Sequence, residues 1–331
     1  MRSFRGIMVR GCVIILFLVL LNGAGHFLYE SVTDGTYFSV QELKEKQGSI
    51  ETILIGTSLM QRGINPDIVS EALDTTCFNL GSSAQPLAGT YYLLKDQLDR
   101  NPVERVFMTV SVKSFMSDED SKSTTAKLRV FDLIQSPVIK LQFMTDVGET
   151  AEYERFLFFP ARVEDKISAK IIKRNISYRQ SEEYENRMVF PGAFLKYYGM
   201  GFMSNEQEYN NSHAKGKIVT GSVWNRENIL EENLSAIRKI ADICREKGVE
   251  FNLVVLPHSE EYASKQGDLS DMDVYLEELC KDMGAGLYNY NYTAYEGIYE
   301  YVDNSCFMDR THLNAYGATR MADLLCRDYQ E

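Results

Sequence analysis

Short apolar runs alternate with amphipathic stretches along most of the chain. The apolar runs have the length of strands and are rich in β-branched and aromatic residues. They lie at residues 51–58, 75–80, 103–112, 249–256 and 287–290. Stretches with apolar residues three or four positions apart predict helices between and after them, at about 66–73, 86–98, 225–247, 272–283 and beyond Leu313. Strands that alternate with helices predict a parallel sheet covered on both faces, an α/β fold.

Residues 117–224 interrupt this alternation. The segment is rich in Phe, Tyr and charged residues and shows no strand and helix rhythm, so we predict a mainly helical insertion. Insertions at the carboxyl ends of parallel strands lie over the ligand-binding edge of a sheet. The segment is therefore interpreted as a lid, a substrate wall or a docking surface. A subdomain that only packs on the core is an equally good interpretation.

The first 30 residues contain one apolar stretch that follows several basic residues. Arg2, Arg5 and Arg10 precede the apolar residues 11–28, whose centre, 13–21, reads VIILFLVLL. Positive charge on the N-terminal side of an apolar stretch predicts that the N-terminus stays in the cytoplasm and that the following chain is exported. We predict a single-pass signal anchor or transmembrane helix at 1–30, a linker at 31–47 and an extracytoplasmic domain at 48–331.

A cleaved signal peptide is the alternative to a membrane anchor. Asn22 and His26 interrupt the apolar stretch near its end, which leaves it only marginally long for a membrane span. Residues 21–25, Leu-Asn-Gly-Ala-Gly, offer only a poor small-residue cleavage site. The sequence therefore favours the anchor.

Charge and cysteine content exclude two classes of partner. The chain has 35 Lys and Arg against 47 Asp and Glu, a net charge of −12, which would repel a phosphate backbone, so no nucleic-acid partner is predicted. The six cysteines form no Cys-x-x-Cys motif and no cluster with histidine, so neither a zinc site nor any other cofactor is predicted. Five lie outside the apolar segment; we interpret them as mostly buried thiols, with one or two disulfides as the alternative.

Two short motifs carry candidate chemistry. The first, residues 55–59, Ile-Gly-Thr-Ser-Leu, ends the first predicted strand and places Ser58 at the carboxyl edge of the sheet. The second, residues 309–314, Asp-Arg-Thr-His-Leu-Asn, precedes the last predicted helix. Asp309 can reach Nδ1 of His312 across a turn, so that Nε2 faces outward as a base. A serine hydroxyl becomes an effective nucleophile when such a base accepts its proton.

In order and spacing, these motifs resemble those of the SGNH (GDSL-like) hydrolases and acyltransferases. Residues 56–59 match the Gly-Asp-Ser-Leu-like block, with Thr57 in place of Asp, and residues 309–312 match the Asp-x-x-His block near the C-terminus. The resemblance covers about residues 48–115 and 226–331. It implies a three-layer α/β/α, flavodoxin-like parallel sheet.

The resemblance also implies an oxyanion hole, where the chain departs from the family. Residues 79–83, Asn-Leu-Gly-Ser-Ser, are similar to the block whose glycine N–H, here that of Gly81, joins the hole. The block Gly-x-Asn-Asp is absent, and Ser-Val-Lys-Ser stands at 111–114. Asn79 and Ser111 are therefore the candidate side-chain donors. A tight turn at Gly81 and an Asx-turn at Asn79 are the alternatives.

One further histidine is expected near these motifs. His258 follows the strand predicted at 249–256 and should lie at the same edge of the sheet. We interpret it as a loop histidine with a satisfied hydrogen bond, with a substrate contact as the alternative.

The membrane anchor, the absent block and the insertion are similar to one subset of the family. These are exported, anchored proteins that modify cell-envelope polymers, as in alginate O-acetylation and lipoteichoic acid D-alanylation, beside a membrane-bound O-acyltransferase. The resemblance implies serine-dependent acyl transfer or ester hydrolysis on an acylated small molecule or an envelope polysaccharide. One alternative is a non-catalytic envelope scaffold that binds acylated polymer or the acyltransferase. Another is a secreted lipase or esterase without a polymer partner.

Overall fold

A five-stranded parallel sheet lies at the centre of the protein. The computed structural model describes residues 2–29, 35–163, 168–188, 193–209 and 223–331. Its strands are β1 (Thr52–Ile55), β2 (Cys77–Asn79), β3 (Arg105–Thr109), β4 (Lys196–Gly199), β5 (Phe202–Ser204), β6 (Glu250–Val255) and β7 (Gly286–Asn289). The sheet order is β2-β1-β3-β6-β7, the order of flavodoxin-like folds. This confirms the predicted α/β fold.

The sheet is buried on both faces because helices cover each of them. Successive strand residues point to opposite faces: Ile53 and Ile55 of β1 lie in one apolar cluster, and Leu54 lies in the other. The described α-helices are α1 (Arg2–Tyr29), α2 (Gly35–Glu45), α3 (Ser58–Gly63), α4 (Pro66–Ala72), α5 (Leu87–Leu98), α6 (Val112–Met116), α7 (Thr124–Leu133), α8 (Pro137–Asp146), α9 (Tyr153–Leu157), α10 (Ala169–Arg179), α11 (Glu182–Glu185), α12 (Glu231–Lys247), α13 (Glu260–Gln266), α14 (Ser270–Met283), α15 (Ile298–Tyr301) and α16 (Ala315–Gln330). The molecule thus has the three layers that the resemblance implies.

Helix α2 lies where the sequence predicts a linker. Leu43 of this helix belongs to the main apolar core, and Phe38 is also buried. Glu42 accepts hydrogen bonds from the Tyr197 hydroxyl and, at 2.7 Å, from the backbone N–H of Met200. The part of 31–47 that the structure describes is therefore packed into the domain, which begins before residue 48.

The insertion at 117–224 is mainly helical in its described part, as predicted. It contains α7 to α11 and, unexpectedly, an antiparallel hairpin formed by β4 and β5. Helices α7 and α8 pack against α5, on the outside of the sheet. This arrangement agrees with a subdomain that packs on the core.

The N-terminal helix α1 is long and apolar enough to cross a membrane. Its candidate span, Gly6–Tyr29, has a mean hydropathy of 2.3 and is not buried inside the protein. These properties fit a membrane anchor and a signal sequence alike. The six cysteines are all free thiols, and the five outside α1 are buried, which agrees with the predicted buried thiols rather than disulfides.

Candidate active site

Ser58 is the first residue of α3, directly after the carboxyl end of β1. Between strand and helix, Gly56 has a φ of 143°, and a Cβ there would lie 2.3 Å from Oγ1 of Thr109. Thr57, which stands in the family's Asp position, caps α3 and accepts a hydrogen bond from the N–H of Leu59. The chain therefore turns sharply and presents the Ser58 hydroxyl at the edge of the sheet.

A closed loop before α16 positions the second motif. Phe307 and Leu313 pair as an isolated antiparallel bridge, and the N–H of Met308 donates to the carbonyl of His312 at 3.0 Å. Asn314 then caps α16 by accepting a hydrogen bond from the N–H of Gly317. These hydrogen bonds hold the backbone of the loop that carries the side chains of the second motif.

The structure brings Ser58, His312 and Asp309 together in that order. The distance from Oγ of Ser58 to Nε2 of His312 is 2.8 Å. Nδ1 of His312 lies 2.9 Å from Oδ2 and 3.0 Å from Oδ1 of Asp309. Such an arrangement lets the imidazole accept the serine proton while the carboxylate stabilises the resulting imidazolium.

Asp309 is held in its ionised form. Burial by itself would raise the pKa of this carboxyl. Hydrogen bonds from the His312 side chain and from the backbone N–H groups of Thr311 and His312 overcome that effect and hold the pKa well below its usual value. The negative charge is therefore available to orient the imidazole over the whole physiological pH range.

A cavity of about 310 Å³ opens at Ser58 and His312. Four of its lining residues carry polar side chains from α6 or from the chain just before and after it: Ser111, Lys113, Ser114 and Asp120. Among the described residues of the insertion, Asp120 alone lines this cavity. The described insertion therefore contributes little to the wall of the site, in contrast to the expected lid.

His258 lines the same cavity, at the carboxyl end of β6. Its Nδ1–H donates to the carbonyl of Thr311 at 3.1 Å, and its ring packs edge-on against Tyr262. Burial lowers the pKa of His258 to about 4, against the opposing effect of the Thr311 bond. His258 is therefore a neutral imidazole beside the candidate triad. It is the loop histidine with a satisfied hydrogen bond that the sequence predicts, and it also lines the cavity.

Asn79 and Gly81 support α3 instead of facing the cavity. Asn79 is fully buried, and its Nδ2 donates to the carbonyls of Met60 at 2.8 Å and Ile64 at 3.2 Å. Its Oδ1 accepts the N–H of Gly81 at 2.9 Å, so that N–H is already engaged. A Cβ on Gly81 would lie 2.6 Å from the backbone nitrogen of Gln61. The structure thus corrects the predicted placement of both residues in the oxyanion hole.

Ser111 lies in the wall of the cavity, and its role as a donor to the oxyanion stays a prediction. It is the N-cap of α6, its backbone N–H donates to Oγ of Ser114 at 3.0 Å, and the two hydroxyls lie 3.5 Å apart. Ser111 is thus held within a local network at the rim of the site.

Sequence reasoning missed Ala84, which lines the cavity beside Ser58. Its φ is 56°, a left-handed conformation that is uncommon for a residue with a Cβ and that clusters at functional sites. The N–H of Gln85 closes the turn around it by donating to the Ser82 carbonyl. The N–H of Ser82 donates to the carbonyl of Gly56, the residue after β1. No sequence signal marks this conformation, since glycine would be the expected residue.

No metal site accompanies these residues in the part of the chain that the structure describes. There, no three His, Cys, Asp or Glu side chains form a group that could hold a metal ion.

The comparisons with known proteins find similarity only in structure. No family model matches the sequence, and no curated protein is similar to it. Similar solved structures include a protein described as a platelet activating factor from Streptococcus pneumonia, with 10% identity, a TM-score of 0.40 and coverage of 98% of this chain and 99% of that one.

Two further neighbours are named as ester-cleaving enzymes. A catalytic mutant of an acetylxylan esterase from Geobacillus stearothermophilus has 8% identity and a TM-score of 0.39, and the match covers 86% of this chain and 95% of that one. A GDSL-like lipase from Bacteroides thetaiotaomicron has 9% identity and a TM-score of 0.36, with 90% and 98% covered. The similarity is remote and concerns the fold alone.

Proposed function

We propose that the protein catalyses serine-dependent acyl transfer or ester hydrolysis outside the cytoplasmic membrane. The observation that supports this most directly is the hydrogen-bonded succession of Ser58, His312 and Asp309 at the mouth of a cavity. A serine, a base and an orienting carboxylate in this order form the minimal arrangement for nucleophilic catalysis at a carbonyl carbon.

The first half-reaction acylates the serine. Nε2 of His312 accepts the hydroxyl proton while Oγ of Ser58 attacks the carbonyl carbon of an ester or thioester. The imidazolium then gives its proton to the departing alkoxide or thiolate as the tetrahedral intermediate collapses. The product of this step is an acylated Ser58 and a free alcohol or thiol.

Two backbone N–H groups are the candidates for the oxyanion hole. The N–H of Ser58 lies in the first turn of α3, where helical N–H groups lack an intrahelical partner and the helix dipole favours negative charge. The second candidate is the N–H of Ala84, a residue in a left-handed conformation that lines the same cavity. This assignment replaces the predicted role of Gly81. One well-placed donor contributes about 3 kcal/mol to such transition states.

The second half-reaction decides between hydrolysis and transfer. His312 deprotonates water in the first case and a hydroxyl of the acceptor in the second, and that oxygen attacks the acyl-serine. The bond between the acyl carbon and Oγ of Ser58 then breaks, and the imidazolium returns its proton to Ser58. A cavity of about 310 Å³ suits a small acyl group. Its polar rim at Ser111, Lys113 and Asp120 suits a hydroxylated acceptor such as an envelope polysaccharide. A neighbouring membrane-bound O-acyltransferase would supply the acyl group, and α1 would anchor the protein beside it.

The activity is tested with the full chain purified in a neutral detergent. We expect a fluorophosphonate probe to label the protein at Ser58 and p-nitrophenyl acetate to be hydrolysed. Ser58→Ala should abolish both signals, whereas Ser264→Ala, a serine exposed on α13, should leave both at the parental level. Full esterase activity in the Ser58→Ala variant would refute the proposal.

The alternative of a non-catalytic envelope scaffold is distinguished by the same experiment. It is favoured by the absence of the Gly-x-Asn-Asp block and by the engagement of the Gly81 N–H within the protein. A folded parent protein that takes up no probe and hydrolyses no ester would support the scaffold.

A further inference from the structure

A second and larger cavity lies at the outer end of α1, away from Ser58. Its volume is about 830 Å³, and its walls come from the end of α1 and from α2, α7, α8 and α10. Six lining residues carry a basic side chain of Lys or Arg: Lys44, Arg129, Lys140, Arg155, Arg162 and Arg174. Asp132 is the one acidic residue among the described lining residues. Such a concentration of positive charge is unexpected in a chain with a net charge of −12.

Three of these cations form no ion pair with any carboxylate that the structure describes. Asp132 forms an ion pair with Arg162 at 2.7 Å, but the ion pairs among the described residues include none from Lys44, Arg129 or Lys140. The ammonium group of Lys140 lies 4.7 Å from the centre of the Phe131 ring. Burial lowers the pKa of Lys140, and the nearby charges of Lys44 and Arg162 lower it further, against the attraction of Asp132. A bound anion would relieve this repulsion.

The contacts of α1 fix the position of this cavity relative to the apolar helix. Oδ1 of Asn22 accepts the N–H of Phe159 at 2.6 Å, the ring of His26 stacks on Phe159, and Nδ2 of Asn175 donates to the carbonyl of Leu28 at 2.9 Å. Asn22 ends the uninterrupted apolar run at Leu21. The turns of α1 from Asn22 onward therefore pack against the domain.

The position along α1 places the cavity at the level of lipid head groups. His26 and Tyr29, in the cavity wall, lie in the last turn of the candidate span Gly6–Tyr29, so the cavity adjoins the end of that span. The head-group layer on each side of a bilayer is about 5–8 Å thick. Leu157, which is 65% exposed, lies just before the Phe159–Arg162 turn that contacts α1, as expected for a surface that faces the membrane.

We infer that this cavity binds the phosphate head group of an anionic lipid from the membrane that α1 crosses. Guanidinium and ammonium groups are the usual partners of phosphate, and juxtamembrane cations strengthen binding to an anionic surface. The inference rests on the proposed membrane anchor and is independent of the catalytic role of Ser58.

The lipid site adjoins the candidate active site through one residue. Nη1 of Arg129 donates to the carbonyl of Ser83 at 3.1 Å, and the next residue, Ala84, lines the catalytic cavity. A lipid phosphate on Arg129 would therefore hold the catalytic cavity at a fixed height above the membrane.

Binding is tested with the full chain in neutral detergent micelles by titration calorimetry. The probes are dioctanoyl phosphatidylglycerol, dioctanoyl phosphatidylcholine with the same tails, and inorganic phosphate. We expect saturable, salt-sensitive binding of phosphatidylglycerol and at least tenfold weaker binding of the other two. The double variant Lys44→Gln/Lys140→Gln should weaken phosphatidylglycerol binding at least tenfold.

A matched control removes the same charge elsewhere. Lys239→Gln/Lys281→Gln, on the exposed faces of α12 and α14, should bind within twofold of the parent. If the Lys44/Lys140 double variant fails to fold, the exposed Lys44→Gln alone should still weaken binding about threefold. Ser58→Ala should bind like the parent, so that loss of catalysis and loss of lipid binding are separable.

Three results would overturn the inference. They are equal binding of the two lipids, unchanged affinity in the lysine variants, and inorganic phosphate that binds as tightly as phosphatidylglycerol. The last result would assign the cavity to a soluble phosphate compound instead of a lipid.

Discussion

The hydroxyl of Ser58 and the imidazole of His312 lie 2.8 Å apart although 254 positions separate them. The buried core beneath them explains this distance. Met60 of α3 and Leu313, next to His312, belong to the same apolar cluster, and α3 packs against α16. The pairing of the two motifs is therefore a consequence of core packing, which holds the reacting groups in place before a substrate arrives.

Asp309→Asn should reduce turnover without unfolding the loop. The amide oxygen can still accept the N–H groups of Thr311 and His312, which hold the turn. The amide nitrogen would instead face Nδ1 of His312 as a donor and force the wrong imidazole tautomer. We expect kcat for p-nitrophenyl acetate to fall about 10³–10⁴-fold, the loss typical of this change in serine triads.

Asp303→Asn is the matched control for this prediction. Asp303 accepts the N–H of Ser305 in a comparable loop position but lies outside the candidate site. Its variant should keep parental turnover and stability. Equal turnover in both variants would show that Asp309 is only a turn residue.

The sequence predicts most of the fold because apolar periodicity and helix boundaries are local properties. The five strands of the central sheet and the main helices between them lie where the pattern predicts them. Helix α12 begins at Glu231 instead of residue 225, because Asn225 caps a separate 3-10 turn, Arg226–Asn228. Helix α2 gives no clear signal in the sequence because polar and charged residues outnumber the apolar ones in it, and its burial depends on distant partners such as Tyr197.

The candidate site was predictable only in part. Ser58, His312 and Asp309 lie in motifs whose spacing along the chain can be read directly. The surroundings of Gly81 and Ala84 depend on how the loop after β2 packs against α3, and an Asn side chain gives no sign of whether it will face a cavity or the core. Asn79 therefore holds α3 through buried hydrogen bonds, whereas Ala84 lines the cavity.

Asn79→Ala should destabilise the protein strongly. The change leaves the carbonyls of Met60 and Ile64 and the N–H of Gly81 without their buried partner. Each unsatisfied buried group costs about 1–3 kcal/mol, so we expect a loss of about 3 kcal/mol in the free energy of unfolding, measured by urea denaturation. Asn304→Ala, at an exposed position, should change it by less than about 0.5 kcal/mol. A small effect at Asn79, combined with a large loss of kcat, would instead return this residue to the oxyanion hole.

His258 should make stability depend on pH in mildly acidic solution. In the folded protein its pKa is lowered to about 4, whereas an unfolded histidine takes up a proton near pH 6.5. Between these values the unfolded state binds more protons, so the free energy of unfolding falls as the pH decreases from 6.5 to 4. Above pH 6.5 the contribution is fully present. The loss should reach on the order of 3 kcal/mol near pH 4.

The variant His258→Asn isolates this contribution. Its amide can replace Nδ1 as donor to the carbonyl of Thr311, but it does not titrate. We expect urea midpoints of parent and variant to run in parallel from pH 8 to 6.5 and to diverge below, with the parent losing more stability. The ionised Asp309 is common to both proteins, so its own titration cancels in the difference. Parallel curves down to pH 4 would contradict the prediction. They would mean that the His258 imidazole is protonated as easily in the folded protein as in the unfolded chain, because water reaches it through the cavity.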